Sequence, residues 1–143
     1  MIPELNNDGN LPPGVYDATI SEIEQRFGYN SRRRKLLQKL KLLIKNLANA
    51  GCKILYLDGS FTTSKEIPED YDCCWEADQV NNTIDPIIRG IKTFKKDRKE
   101  KYGGDIFPRI PELGVDHFLF FQQDGRTGKS KGIIRILLRA SKK

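Results

Sequence analysis

Between Ser31 and Ala50 the residues Leu36, Leu40, Leu43 and Leu47 recur at steps of four, three and four, with Leu37 and Ile44 widening the stripe and Gly51 placed to stop it. A repeat of 3.6 residues held for this long specifies a helix with one buried face, and such a helix must lie on another apolar surface. The chain supplies that surface directly: Lys53 to Asp58 is short, apolar and bounded by glycine on both sides, the pattern of a central strand. The other face of the helix carries Arg32, Arg33, Arg34, Lys35, Lys39, Lys41 and Lys45. The expectation for these is a solvated surface, with a contact for phosphate or an acidic partner as the alternative; the first four oppose the positive end of the helix dipole.

Around this pair the remaining elements follow from local signals. The first sixteen residues hold three prolines and the run Asn6-Asn7-Asp8-Gly9-Asn10, and read as an extended or turn-rich arm with no catalytic feature. Residues 17–143 are expected to form one domain, because 143 residues with 38% hydrophobic and 31% charged side chains suffice for a single core. Thr19 and Glu22 make a capping box for a short helix carrying Ile20, Ile23 and Phe27 and ended by Gly28. A strand is expected over Tyr71 to Glu76, a helix from Asp85 to Tyr102 with Pro86 at its first position, and a third strand near Asp105-Ile106-Phe107, followed by a turn holding Pro108 and Pro111. His117 to Gln123 and Gly132 to Leu138 read as two strands joined by a hairpin through Asp124-Gly125. The predicted fold class is therefore α/β (α+β), a mixed β-sheet with helices packed on it.

Twenty-five Lys and Arg against nineteen Asp and Glu give a formal charge of +6, which favours polyanionic partners. The apolar runs fall far short of the ~20 residues a membrane helix needs, so the expectation is a soluble, cytoplasmic protein with no membrane partner. Cys73 and Cys74 are adjacent and Cys52 is alone, which fits neither a disulfide framework nor a zinc site and predicts reduced thiols.

The chemistry concentrates in Leu57-Asp58-Gly59-Ser60, the polar connection that follows, and Asp70-Tyr71-Asp72-Cys73. On a strand, side chains two apart share a face, so Asp70 and Asp72 project together while Tyr71 and Cys73 point the other way. Two adjacent carboxylates repel and call for a cation, and hard oxygen ligands select magnesium or manganese. Gly59 lets a phosphate approach the backbone, and Ser60 can offer it both hydroxyl and N–H.

Over about twenty residues this stretch resembles the signature of the nucleotidyltransferase superfamily, the DNA polymerase beta-like fold. In that family a hydrophobic strand ends in Gly-Ser or Gly-Gly, and Asp-x-Asp opens the next strand about ten residues later. The resemblance implies a palm-like domain, Mg2+ (or Mn2+) held by Asp70 and Asp72, and an NTP gripped at Gly59 and Ser60. It also implies a third catalytic and metal-binding carboxylate on a later strand. Asp105, in Gly103-Gly104-Asp105-Ile106-Phe107, is preferred on the order of elements, with Asp116 in Val115-Asp116-His117 as runner-up. Lys65 is the candidate to reach the leaving phosphates, with Arg126, Lys129 and Lys131 in the same standing.

The expected reaction is transfer of a nucleoside monophosphate from NTP to an acceptor that is RNA, protein or a small molecule. The alternative is a catalytically inactive basic module of the same fold that binds nucleic acid or protein. Small stand-alone members of the superfamily in prokaryotes and their viruses are often the enzyme half of a toxin–antitoxin or defence pair, which would add a cognate protein partner. Other features are discounted. Gly128-Lys129-Ser130 lacks the upstream glycine of a P-loop, since position 123 is Gln123, and reads as a hairpin turn. His117 is the only histidine and is expected to be structural. Trp75, Phe118, Phe120 and Phe121 are expected to pack the core.

Overall fold

The computed structural model describes residues 2–90, 93–110, 117–124 and 128–139; Pro111, Asp116, Arg126 and the side chains of His117 and Phe120 lie outside them. Five strands, β1 (Val15–Asp17), β2 (Ile54–Asp58), β3 (Tyr71–Glu76), β4 (Gly104–Arg109) and β5 (Ile133–Leu137), form one sheet in the order β1-β5-β2-β3-β4. β2 runs antiparallel to both β3 and β5, while β1 pairs β5 and β4 pairs β3 in parallel. The fold is thus a mixed α+β arrangement, as the pattern of elements predicts.

Alternation along the strands assigns the two faces. Leu55, Leu57, Tyr71, Cys73 and Ile106 point into the main core, where they meet Leu36, Leu40, Leu43 and Leu47 of helix α2 (Ser31–Asn49) and Ile23 and Phe27 of α1 (Ile20–Phe27). Tyr56, Cys74 and Ile133 point the other way, into a smaller cluster with Phe121. The capping box on α1 is present: Thr19 Oγ1 accepts from Glu22 N at 3.1 Å and Glu22 Oε1 accepts from Thr19 N at 3.1 Å. Trp75 is buried, and Cys52, Cys73 and Cys74 are buried free thiols.

Four expectations are corrected. The helix expected from Asp85 to Tyr102 is two, α3 (Pro86–Arg89) and α4 (Lys95–Tyr102), separated by extended Gly90 and by Phe94 in the left-handed region at φ 61°. The cause is Arg98, whose buried guanidinium takes the carbonyls of Ile87, Gly90 and Thr93, which a continuous helix would use internally. The strand expected from His117 to Gln123 begins as a short helix, α5 (His117–Phe120). Phe118 and Phe121, three apart, both reach the smaller cluster while Leu119 is exposed, which is helical and not strand spacing. Pro108, expected in a turn, lies within β4; the missing N–H is tolerated because β4 is an edge strand.

The fourth correction concerns Arg33, which is 0% exposed. Its Nη1 donates to Phe27 O (3.3 Å) and Phe61 O (2.6 Å), and its Nη2 donates to Thr63 O (2.8 Å) and to Lys65 O. The plane lies near three rings, with Tyr29 closest at 4.7 Å to the centroid. Far from being solvated, this cation ties α2 to the end of α1 and to the segment that follows Gly59-Ser60. Replacing it leaves the carbonyls of Phe27 and Phe61 without this donor in a buried setting. Arg33→Met is expected to lower stability by roughly 3 kcal/mol or more, with Arg33→Lys intermediate, measured as the midpoint shift in urea unfolding.

Candidate functional site

β2 ends at Asp58, and the chain turns at Gly59 (φ 89°, ψ −171°) into a single 3-10 turn, Ser60–Thr62. Only glycine fits here for a second reason. A Cβ on Gly59 would stand 2.8 Å from Asp72 N and 3.1 Å from its Oδ2, so the turn is pressed against the acidic strand. Ser60 Oγ donates to Asp70 O at 3.4 Å, and Thr63 Oγ1 donates to Ser60 O at 2.7 Å. The Gly-Ser elbow and the entry to β3 are therefore one unit.

Strand register sets the acids. Asp58 is the partner of Asp72 across β2–β3, and Asp72 is the partner of Asp105 across β3–β4. Three carboxylates thus stand in a row on adjacent strands, on the face opposite the main core, with Asp70 one residue ahead of β3. Lys99, on α4, reaches the row from one end: its Nζ lies 3.0 Å from Asp70 Oδ2 and 3.7 Å from Asp105 Oδ1. Lys131 closes the other end, with Nζ 2.9 Å from Asp58 Oδ1. Beyond it, buried Asp124 accepts from Asn10 Nδ2 at 2.6 Å.

Two lysines do not balance five carboxylates, and the central one carries the imbalance. Burial first, then Asp70, Asp105 and Asp58, push the Asp72 carboxyl up to about 7. Burial also raises Asp58, with Lys131 opposing it. Among the described residues, no group of three or more His, Cys, Asp or Glu is arranged to hold a metal ion. The ammonium of Lys99 lies between Asp70 and Asp105.

Beside the row opens a cleft of about 550 Å³, bounded by Gly59, Ser60, Lys65, Asp124 and Lys131. Its remaining wall is the N-terminal segment, in which the sequence shows nothing catalytic. Asn6 Oδ1 accepts from Asp8 N and Asn10 N, Gly9 O accepts from Ser64 N at 2.9 Å, and Leu11 is buried in the main core. Of the residues singled out in the sequence, Gly59, Ser60 and Lys65 line this cleft, Asp72 adjoins Gly59, and Asp70 and Asp105 meet through Lys99. Gly125 of the expected hairpin lies outside the described residues; on either side of it Gly128 N–H donates to Asp124 O at 2.7 Å and Gln123 forms an isolated antiparallel bridge with Ser130, and Lys129 faces Asp8 at 3.8 Å.

Asp58, Asn10, Lys99 and Asp124 are additions that the sequence reading did not single out. Asp58 was visible in principle: it follows Leu57 in a strand whose odd positions are apolar, so it belongs to the other face, the face of Asp72.

The chain belongs to a family described as "Family of unknown function (DUF6932)", which matches residues 3–137. No curated protein and no solved structure matches it. Among the described residues no helix is long and apolar enough to cross a membrane.

The raised Asp72 carboxyl predicts a pH dependence. A carboxyl that ionises near 7 in the folded state and near 3.8 in the unfolded state contributes stability below pH 4, and that contribution is lost as pH rises through 7. Asp72→Asn is expected to match the parent below pH 4 and to exceed it increasingly up to about pH 8, by at most roughly 4 kcal/mol, in denaturant melts across that range.

Proposed function

We propose that the protein is a metal-dependent nucleotidyltransferase with a palm-like domain, moving a nucleoside monophosphate from NTP to an acceptor. The observation that carries this reading is the row Asp58, Asp72 and Asp105 in strand register beside the Gly59-Ser60 elbow. The order of parts supports it as well: a helix, a buried strand, Gly-Ser, an antiparallel strand bearing Asp72, and a third carboxylate on the next strand over.

The donors are of the kind a hard divalent cation takes, although among the described residues no three of them stand around one point with Lys99 in place. The ligands are carboxylate oxygens, and after burial the neighbouring charges of Asp70, Asp105 and Asp58 are what raise Asp72, a repulsion that a cation would relieve. Asp70, Asp72 and Asp105 would hold it once Lys99 withdraws. Bound magnesium or manganese would shield the triphosphate and lower the pKa of the acceptor hydroxyl. The chain's own part is to bind and orient. Gly59 and Ser60 line the cleft, where the triphosphate would meet the backbone of the elbow and the Ser60 hydroxyl. Lys65 and Lys131 flank the cleft and offset the charge of the leaving pyrophosphate. The acceptor oxygen attacks the α-phosphorus, the bond from that phosphorus to the bridging oxygen of pyrophosphate breaks, and Asp105 takes the acceptor's proton.

The second reading, an inactive basic binding module of the same fold, draws on one observation: Lys99 already satisfies Asp70 and Asp105. The two are separated by experiment. NTP binding measured by calorimetry is expected only with Mg2+ or Mn2+, pyrophosphate is expected to be released, and Asp70→Asn with Asp72→Asn is expected to abolish both in a folded protein. Metal-independent binding unchanged in that variant would leave the inactive module. Lys99→Met is expected to tighten Mn2+ binding several-fold in the absence of nucleotide, since an exposed ammonium–carboxylate contact is worth about 1 kcal/mol. Unchanged or weaker affinity would mean that Lys99 and the metal do not compete.

A further inference from the structure

Helix α2 contains seven cations and no acid, and burial divides them. With Arg33 inside, Arg32, Lys35 and Lys39 are exposed at steps of three and four, one stripe along the helix, whereas Arg34, Lys41 and Lys45 are centred roughly 130° away around it. The second group is partly engaged: Lys41 pairs with Glu24 at 2.9 Å and Arg34 Nη1 donates to Gly28 O at 3.5 Å. Arg32 and Lys39 of the first stripe line a groove of about 360 Å³ between α2 and α4, together with Glu69, Asp70, Lys99 and Glu100, while Lys35 stands outside its lining. The groove runs to the end of the acid row, where Lys99 joins Asp70 to Asp105.

We propose that this stripe is the binding surface for a single-stranded polynucleotide, whose free 3′-hydroxyl is thereby delivered to Asp70 and Asp105. The spacing supports a repeating anion. Arg32 to Lys39 spans about 10 Å at 1.5 Å per residue, a length over which a strand with one charge per nucleotide presents more than one phosphate. The composition argues against a protein partner, since protein interfaces are depleted in lysine and centred on apolar anchors. Glu69 and Glu100, exposed on the same groove, repel phosphate and confine the strand to the α2 wall. Delivery of the hydroxyl rests on the nucleotidyltransferase reading; the binding surface does not, because it needs neither metal nor NTP.

The test is fluorescence anisotropy of the full chain with labelled 12-nucleotide RNA and DNA strands over a range of salt, without metal or NTP. The expected result is binding whose log–log salt slope is about −2, for three contacts at about 0.7 each. Arg32→Ala with Lys35→Ala and Lys39→Ala is expected to remove most of that slope and at least tenfold of the affinity in low salt, while Lys41→Ala with Lys45→Ala changes neither. Equal losses in the two variants, or equal binding of polyglutamate of matched charge, would overturn the proposal. Binding that follows the stripe in a protein that releases no pyrophosphate would leave this surface standing and remove the catalytic reading alone.

Discussion

The arrangement depends on one buried guanidinium. A 3-10 turn of three residues has almost no stability of its own, and the polar segment from Thr63 to Lys65 buries little. Arg33 supplies what local structure cannot: a rigid planar fork that satisfies carbonyls from α1 and from the segment after Gly59 together, within a ring of Tyr29, Phe27 and Phe61. Lysine offers a single ammonium with no plane and could not hold the same set. The leucine stripe places α2 on the sheet; Arg33 sets where the chain goes after it leaves β2.

The second determinant is charge separated by architecture. Strand register gathers Asp58, Asp72 and Asp105 at one end of the sheet, while α2 carries only cations. A net charge of +6 therefore conceals a strongly acidic spot beside a strongly basic helix. Lys99 and Lys131 stand at the two ends of the row, and the carboxyl between them, Asp72, keeps its proton to about pH 7.

How much of this was legible in the sequence varies with the range of the interaction. Strand β3 and the capped helix α1 follow from local pattern, and the structure places them at Tyr71–Glu76 and Ile20–Phe27. Gly59, Ser60, Asp70 and Asp72 were readable because their spacing encodes a turn between two strands. What was not legible depends on partners distant in sequence. The burial of Arg33 requires carbonyls 28 to 32 residues away, and Arg98 breaks a helix by drawing on its carbonyls from the far side of the break. Asp58 joins the row only through β2–β3 register, and Asn10 meets Asp124 across 114 positions.

That last separation bears on the order of assembly. Gly132 N donates to Leu11 O, Ile133 N donates to Gly14 O, and β1 finds its parallel partner only in β5. Contacts of such long range carry the largest loop-closure cost and form late. On a ribosome, the row of acids on β2, β3 and β4 could be in place while the cleft beside it still lacked Lys131 and the strand that anchors its N-terminal wall. Synthesis itself thus withholds a closed pocket until residue 133 has emerged.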